Sequence, residues 1–322
     1  MSDLDNLLAD AVGKPLSKGG PSVAPDPVNL PMIRHWVDAF DDQNPIHLDD
    51  DAAIEAGFDG LVAPPAMLQT WTMGRPTIAG IAERGGSAGD MDPDSPLQRL
   101  AAAGFTGTLA TNSELEFHRY LRLGEQLESA TLLDEVSEPK TTGLGAGYFV
   151  TWVTNYTSAG ELVGRQRFRV LKFDPTTAGQ AAPSGATSRA PKEAPTVLEV
   201  LPDFSLDVTS TVIVAGAIAS RDYMPVHHDR DYAQAQGAPD IFMNILSTNG
   251  YVSRYVTDWA GPAARLDKIA IRLGGPAIPG QPLRFSGEVI RRDDGASNVD
   301  VALRAVNDLG MHVSGVVTLT LD

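Results

Sequence analysis

Four runs near the end of the chain alternate apolar and polar residues: Ile269 to Leu273, Leu283 to Arg291, Ser297 to Asn307 and His312 to Leu321. That two-residue period predicts strands with one face on a core. Ahead of them, Asn244 to Trp259 sets Ile245, Leu246, Tyr251, Val252, Tyr255 and Val256 on one broad helical face. The first half repeats the pattern, with strand-like runs at Thr106 to His118, Gln126 to Val136, Ala146 to Tyr156 and Leu162 to Phe173. Its helix is shorter, because it starts after Pro64-Pro65 and meets Gly74-Arg75-Pro76. One helix lying across a curved antiparallel sheet, present twice, predicts an α+β chain.

Two stretches have no hydrophobic period. The opening, with Gly19, Gly20, Pro21, Pro25 and Pro27, reads as a flexible arm over residues 1–30. The Pro-, Gly-, Ser- and Ala-rich segment after Phe173 reads as a linker over 174–200. These leave one domain over 31–173 and a second over 201–322. The domains share a motif in register: Asp42-Gln43-Asn44-Pro45-Ile46-His47 followed by Ala53, and Asp222-Tyr223-Met224-Pro225-Val226-His227 followed by Ala233. A weaker shared element follows in each, at Gly124 and Gly280. The longer first interval places its extra residues in the Gly-, Pro- and Asp-rich stretch from Gly74 to Gly104.

Composition narrows the chemistry. There is no cysteine, so thiolate nucleophiles, disulfides and cysteine-held metals are excluded. With 41 acidic against 25 basic residues the net charge is −16, which opposes binding to nucleic acid or to an anionic membrane. No signal peptide or membrane-length apolar run is present, and a cytoplasmic location is expected. Gly85-Gly86 and Gly274-Gly275 lack the context of a phosphate loop, and no nucleophile elbow occurs. His227-His228-Asp229 is not followed by a third ligand motif, so neither a metal nor a nucleotide cofactor is expected. Asp49-Asp50-Asp51 and Asp293-Asp294 read as solvated turns.

Asp42-x-Asn44-Pro45-Ile46-His47-x5-Ala53 resembles the motif of the MaoC-like (R)-specific enoyl-CoA hydratases. The second half, through Ser220 to Asp231 and Asp240 to Ile245, is similar to the small catalytic subunit of actinobacterial steroid side-chain hydratases. The first half, through Val62 to Met67 and Ala110-Thr111-Asn112, is similar to the MaoC-like domain of their larger subunit. The resemblance implies a double hot-dog fold with both subunits fused, and a chain that adds water to a steroid 2-enoyl-CoA. The coenzyme A thioester is then substrate, not cofactor. It implies a homodimer and a downstream aldolase or thiolase-like partner. The larger subunit's extra tail has no counterpart here.

Hydration needs an oriented water, a group that takes its proton, a proton for the α-carbon and donors for an enolate-like oxygen. Asp222 and His227, spaced through a proline-containing loop, can converge on one water, and Asp42 and His47 form a second such dyad. The backbone N–H groups of Asn244 and Ile245, at a helix start, are the expected enolate donors. Arg272 and Lys268 are candidates for the CoA phosphates, against the plainer reading of strand-edge charges. The rival for the dyad is that Asp222 caps a helix near Tyr223 or Asp231 and His227 is a surface histidine. Two copies in register favour the dyad. At the level of function the rivals are a (3R)-hydroxyacyl dehydratase and a noncatalytic acyl-CoA-binding scaffold.

Overall fold

In the computed structural model, residues 3–16, 20–89, 92–179, 195–292 and 297–321 are described. Helix α1 (Asp3–Ala11) and strand β1 (Ser22–Val23) precede α2 (Leu30–Phe40), α3 (Asp50–Glu55), α4 (Leu68–Trp71) and α5 (Pro96–Ala102). The first-half strands follow: β2 (Gly107–Phe117), β3 (Leu127–Val136), β4 (Lys140–Thr142), β5 (Gly145–Ser158) and β6 (Glu161–Asp174). The second half has β7 (Glu199–Val200), β8 (Phe204–Leu206), α6 (Ser210–Ala219), α7 (Arg230–Ala235) and α8 (Ile245–Ala260). It closes with β9 (Arg265–Leu273), β10 (Leu283–Arg292), β11 (Asn298–Asn307) and β12 (Gly310–Thr320). The eight long strands lie within a residue or a few of the alternating runs.

Among the described residues all strands join one antiparallel sheet, in the order β1-β3-β5-β6-β2-β9-β12-β11-β10-β7, with β4 on β5 and β8 on β10. The order is mirrored about the β2–β9 pair, where Asn112 to Glu116 lie opposite Arg272 to Lys268. The seam between the repeats is thus an ordinary strand ladder. This is the double hot-dog: α8 lies in the curve of the second half, the much shorter α4 in that of the first, and α2 packs on α6. The core runs through both halves without a break, from Trp36, Phe40 and Trp71 to Phe285. Among the described residues no helix is long and apolar enough to cross a membrane.

Two expectations need correction. The opening segment is not without structure: α1 buries Leu8, and β1 pairs with β3 at the sheet edge. Leu4, Leu8 and Ala11 give it an apolar stripe at helical spacing that the later glycines and prolines mask. The Asp49-Asp50-Asp51 run is not a free turn either. Asp49 caps α3 through the Ala52 N–H, and Asp50 accepts the Leu61 N–H at 2.8 Å. Residues 180–194 of the expected linker and Asp293-Asp294 lie outside the described residues, and β7 already pairs with β10 before residue 201.

Candidate active site

Both halves enter the Asp–His loop in the same way. The residue before each aspartate turns into the left-handed region, Asp41 at φ 49° and Arg221 at φ 60°, uncommon for a side chain with a Cβ. That turn brings the aspartate N–H back onto the preceding helix, Asp42 to the Val37 carbonyl and Asp222 to the Ala217 carbonyl, both at 2.9 Å. Pro45 and Pro225, with φ fixed and no N–H to satisfy, then open a single 3-10 turn ending at His47 and His227.

In the second half His227 Nδ1 donates to the Phe242 carbonyl at 2.7 Å. A carbonyl only accepts, so the neutral ring carries its proton on Nδ1 and keeps a lone pair on Nε2. Nε2 lies 3.4 Å from Asp222 Oδ2. The Asp222 carboxylate accepts the Met224 N–H at 3.2 Å through Oδ1 and the Asn244 amide at 3.0 Å through Oδ2. Burial pushes its carboxyl up, but His227 in its protonated form, with the Met224 N–H and Asn244, outweighs burial and holds it below the usual carboxylate range. A carboxylate and a ring lone pair side by side are two acceptors, and one water beside them can donate a proton to each. The capping alternative fails here, because Asp229 is the residue that caps α7, accepting the Tyr232 N–H at 3.0 Å.

Asn244 carries a second task. Its Oδ1 caps α8 at the Ser247 N–H (2.7 Å), while its Nδ2 donates to Asp222 and to Ser220 Oγ at 2.9 Å. The N–H groups at the first turn of α8, Asn244 and Ile245 among them, precede the helix's own ladder, whose first bond is Thr248 N–H to the Asn244 carbonyl.

The first-half loop is built alike up to this point. His47 Nδ1 donates to the Val62 carbonyl at 2.9 Å, the same interval along the chain as His227 to Phe242. Burial lowers the His47 ring below its usual value, and Asp42 and the Val62 carbonyl offset that only in part. Counting on from Val62 and Phe242, Asn244 and Ile245 fall on Pro64 and Pro65. Neither proline has an N–H, so the first half has no backbone donors where the second has two.

The extra residues of the first half reach across to the second-half loop. Arg84 knits residues 77–87 into a compact turn by donating to the carbonyls of Thr77, Ala79 and Ser87. Gly86, at φ +85°, then packs against Met224 so closely that a Cβ there would come within 2.7 Å of it. Tyr232 donates to the Ala82 carbonyl at 3.3 Å. Met224 is the residue whose N–H holds Asp222 and whose carbonyl accepts the His227 N–H at 3.0 Å.

Arg272 and Lys268 are not on a sheet edge, since β9 is central. Ile269 and Ile271 face the core, so Lys268 and Arg272 point to the opposite, outer side of the sheet, away from α8 and the dyad. Lys268 is paired with Glu116 at 3.1 Å and Glu114 at 3.3 Å. Another histidine does reach α8: a register shift between β11 and β12 turns His312 inward, where it meets Thr248 Oγ1 at 3.0 Å and donates to the Gly275 carbonyl at 2.9 Å. Burial lowers its pKa.

Residues 22–166 match the family profile described as FAS1-like, dehydratase domain region, and residues 195–309 match the MaoC-like domain. The beta subunit of 3-oxo-4,17-pregnadiene-20-carboxyl-CoA hydratase from Mycobacterium tuberculosis is 50% identical over 122 residues, 38% of this chain and 93% of that one. The chain belongs to the MaoC-like family. The alpha subunit of the same hydratase is 41% identical over 184 residues, 57% of this chain and 56% of that protein. The chain therefore spans only about half the length of that alpha subunit. A solved MaoC-like dehydratase shares the fold at 20% identity, with a TM-score of 0.72 over 98% of this chain and all of that one. Together the two subunit matches are what a MaoC-like chain holding both domains end to end would give.

Sequence reasoning brought Asp222, His227, Asn244 and Ile245 to one place. It missed the Asn244 side chain, His312, Gly86 and the meaning of Pro64-Pro65. Only the last had a visible signal, two residues without an N–H where donors are needed.

Proposed function

We propose that this chain is an enoyl-CoA hydratase whose second half does the chemistry on a 2-enoyl thioester with a steroid-like acyl group. The observation that carries the assignment is the convergence of Asp222, His227 and the first turn of α8, set against Pro64-Pro65 in the first half. In this reading the thioester oxygen lies at the N–H groups of Asn244 and Ile245. A water beside the dyad gives one proton to His227 Nε2 as its oxygen bonds to the β-carbon. The π pair moves onto the thioester as an enolate, stabilised by those donors and the positive end of α8. The imidazolium, stabilised by the Asp222 carboxylate, then returns the proton to the α-carbon.

Room for the acyl group follows from helix length. The helical segment Pro65–Trp71, a 3-10 turn running into α4, is shorter than the 16-residue α8, so the central helix covers less of the first-half sheet, and α5 and α1 meet the rest. A rigid polycycle burying on the order of 200 Å² of apolar surface there gains roughly 5 kcal/mol before ordering costs. The names of the two mycobacterial subunits, hydratases of a steroid carboxyl-CoA, support the same substrate class. The product would be a β-hydroxy thioester, which an aldolase or thiolase-like partner can take. A homodimer acting in the cytoplasm completes the reading.

The test is turnover by the isolated chain, followed as loss of the conjugated thioester absorbance. A steroid enoyl-CoA with a short unsaturated side chain is expected to exceed crotonyl-CoA by at least about a hundredfold in kcat/KM. Equal or better turnover of crotonyl-CoA overturns the steroid assignment, and no turnover of any enoyl-CoA overturns the hydratase.

A further inference from the structure

The outer face of the sheet carries a groove of about 540 Å³ across β2, β9, β12, β11 and β10. The strand register sets its outward side chains in rows that cross all five strands. One row reads Asn112, Arg272, Ser314, Arg304 and Ser286, and the next reads Glu114, Ala270, Val316, Ala302 and Glu288. A third, beyond the groove, reads Glu116, Lys268, Thr318, Asp300 and Arg291. The small residues Ala270, Ala302 and Gly315 make the hollow.

The three rows hold four cations (Arg272, Arg304, Lys268, Arg291) and four anions (Glu114, Glu288, Glu116, Asp300), on a chain whose net charge is −16. Two copies can therefore meet on this face without the repulsion that acts between the rest of their surfaces. The third row neutralises itself, through Lys268 with Glu116 at 3.1 Å and Arg291 with Asp300 at 2.7 Å. The first two rows do not. Among the described residues the exposed side chains of Arg272 and Glu288 meet no hydrogen-bond or ion-pair partner, and Arg304 donates only to Ser286 Oγ at 3.3 Å. Glu114 shares Lys268 with Glu116, at 3.3 Å.

The charge pattern also selects how two copies meet. Both arginines stand in the first row, on β9 and β11, and both glutamates in the second, on β2 and β10, so the charges are mirrored about β12. A twofold axis parallel to β12 sets Arg272 over the partner's Arg304 and Glu114 over the partner's Glu288, like upon like. An axis that crosses the strands between the two rows sets each first row over the partner's second. Arg272 then lies over the partner's Ala270, one strand or about 4.8 Å from the partner's Glu114. Arg304 lies over the partner's Ala302, one strand from the partner's Glu288. Four ion pairs form, and the arginine stems cover alanines. Five strands of this length present a face of roughly 24 by 30 Å, close to the ~800 Å² per partner of a stable dimer.

We propose that a second copy of this chain docks on this groove, sheet against sheet, about a twofold axis that crosses the strands between the Arg272 and Ala270 rows. The interface rests on the homodimer of the reading above, and the dyad lies on the opposite side of the sheet.

The experiment measures the dimer Kd by sedimentation equilibrium for the wild type, Arg304→Glu, Glu288→Arg and the double variant. This pair is chosen because neither side chain has an ion-pair partner within its own copy among the described residues. Each single variant turns two attractions into two repulsions and should raise Kd by roughly a hundredfold or more. The double variant restores both pairs with their signs exchanged, so its Kd should return to within about tenfold of the wild type's. Circular dichroism checks the fold. A single variant that loses it is replaced by Arg304→Gln or Glu288→Gln, for which a rise of about tenfold is expected. A wild type that stays monomeric at about 100 µM overturns the homodimer and this interface with it. A dimer indifferent to both single variants, or single variants that the double one fails to rescue, overturns the interface alone. Enoyl-CoA turnover is followed separately, and its absence overturns the hydratase while leaving the dimer standing.

Discussion

Asp42 and His47 are both buried, at 6% and 3% exposure, whereas Asp222 is half-buried beside a His227 at 5%. The repeat therefore preserved the loop in both places, with the histidine buried in each and the aspartate more open in the second. The difference continues into the next element. Pro64-Pro65 opens a 3-10 turn and a short helix that end at Trp71, while Asn244-Ile245 opens a helix of 16 residues. Losing the donors and shortening the helix are thus coupled at the same two positions. A dyad is legible as a motif, but the chemistry needs the donors beside it.

The sharpest way to break this comparison is to treat the dyads alike. Asp222→Asn and His227→Ala should each reduce kcat by about two to four orders of magnitude with the fold retained by circular dichroism, and Asp42→Asn should cost far less. Equal losses in the two halves would mean two working sites. Next, the second half can be given the first half's defect. Ile245 is the first helical residue of α8 and Asn244 before it is extended (φ −77°, ψ 165°), so Ile245→Pro fits the backbone while removing one N–H. A loss of roughly a hundredfold or more in kcat at an unchanged melting midpoint is expected. If kcat holds, the enolate is not stabilised there.

Asn244→Ser keeps a helix-capping oxygen and removes the amide that helps hold Asp222 ionised. The Asp222 pKa must then rise, so as pH falls the variant loses its carboxylate earlier, and the acid limb of the kcat/KM profile moves to higher pH. Activity on the plateau should fall about tenfold. An acid limb that stays in place, or moves down, would detach Asn244 from the ionisation of Asp222. The smallest effect is expected at the crossing strap. Gly86→Val adds a Cβ against Met224 at a positive φ that a β-branched residue resists, and should lower kcat by about tenfold or less. If kcat is intact while the thermal midpoint falls, the strap is a structural contact that does not set the Asp222–His227 geometry.

What the sequence made legible is what period and local spacing encode. The eight alternating runs became strands, and Ile245, Tyr251, Val252, Tyr255 and Val256 became the buried face of α8. The Asp-x4-His loops could be read because their partners lie within six residues. Helix α1 was hidden because its stability comes from Leu8 packing under other elements, in a stretch whose glycines and prolines suggest no structure. The pairing of Asn244 with Asp222, 22 residues away, and of Thr248 with His312, 64 residues away, is tertiary and leaves no trace in spacing. Lys268 and Arg272 look like binding cations in a list of residues. Their alternation with the buried Ile269 and Ile271 puts them on the outer face of the sheet, and the central position of β9 removes the strand-edge reading.

The seam at β2 and β9 joins two halves whose like-named relatives are separate subunits. For separate chains, assembly is a matter of mass action, and dilution or unequal synthesis leaves halves unpaired. Here the connecting chain fixes the ratio at one to one and replaces solution concentration by a local one that dilution does not change. Pairing of the two halves should accordingly be independent of dilution, a property set by the covalent link before any residue of the dyad is considered.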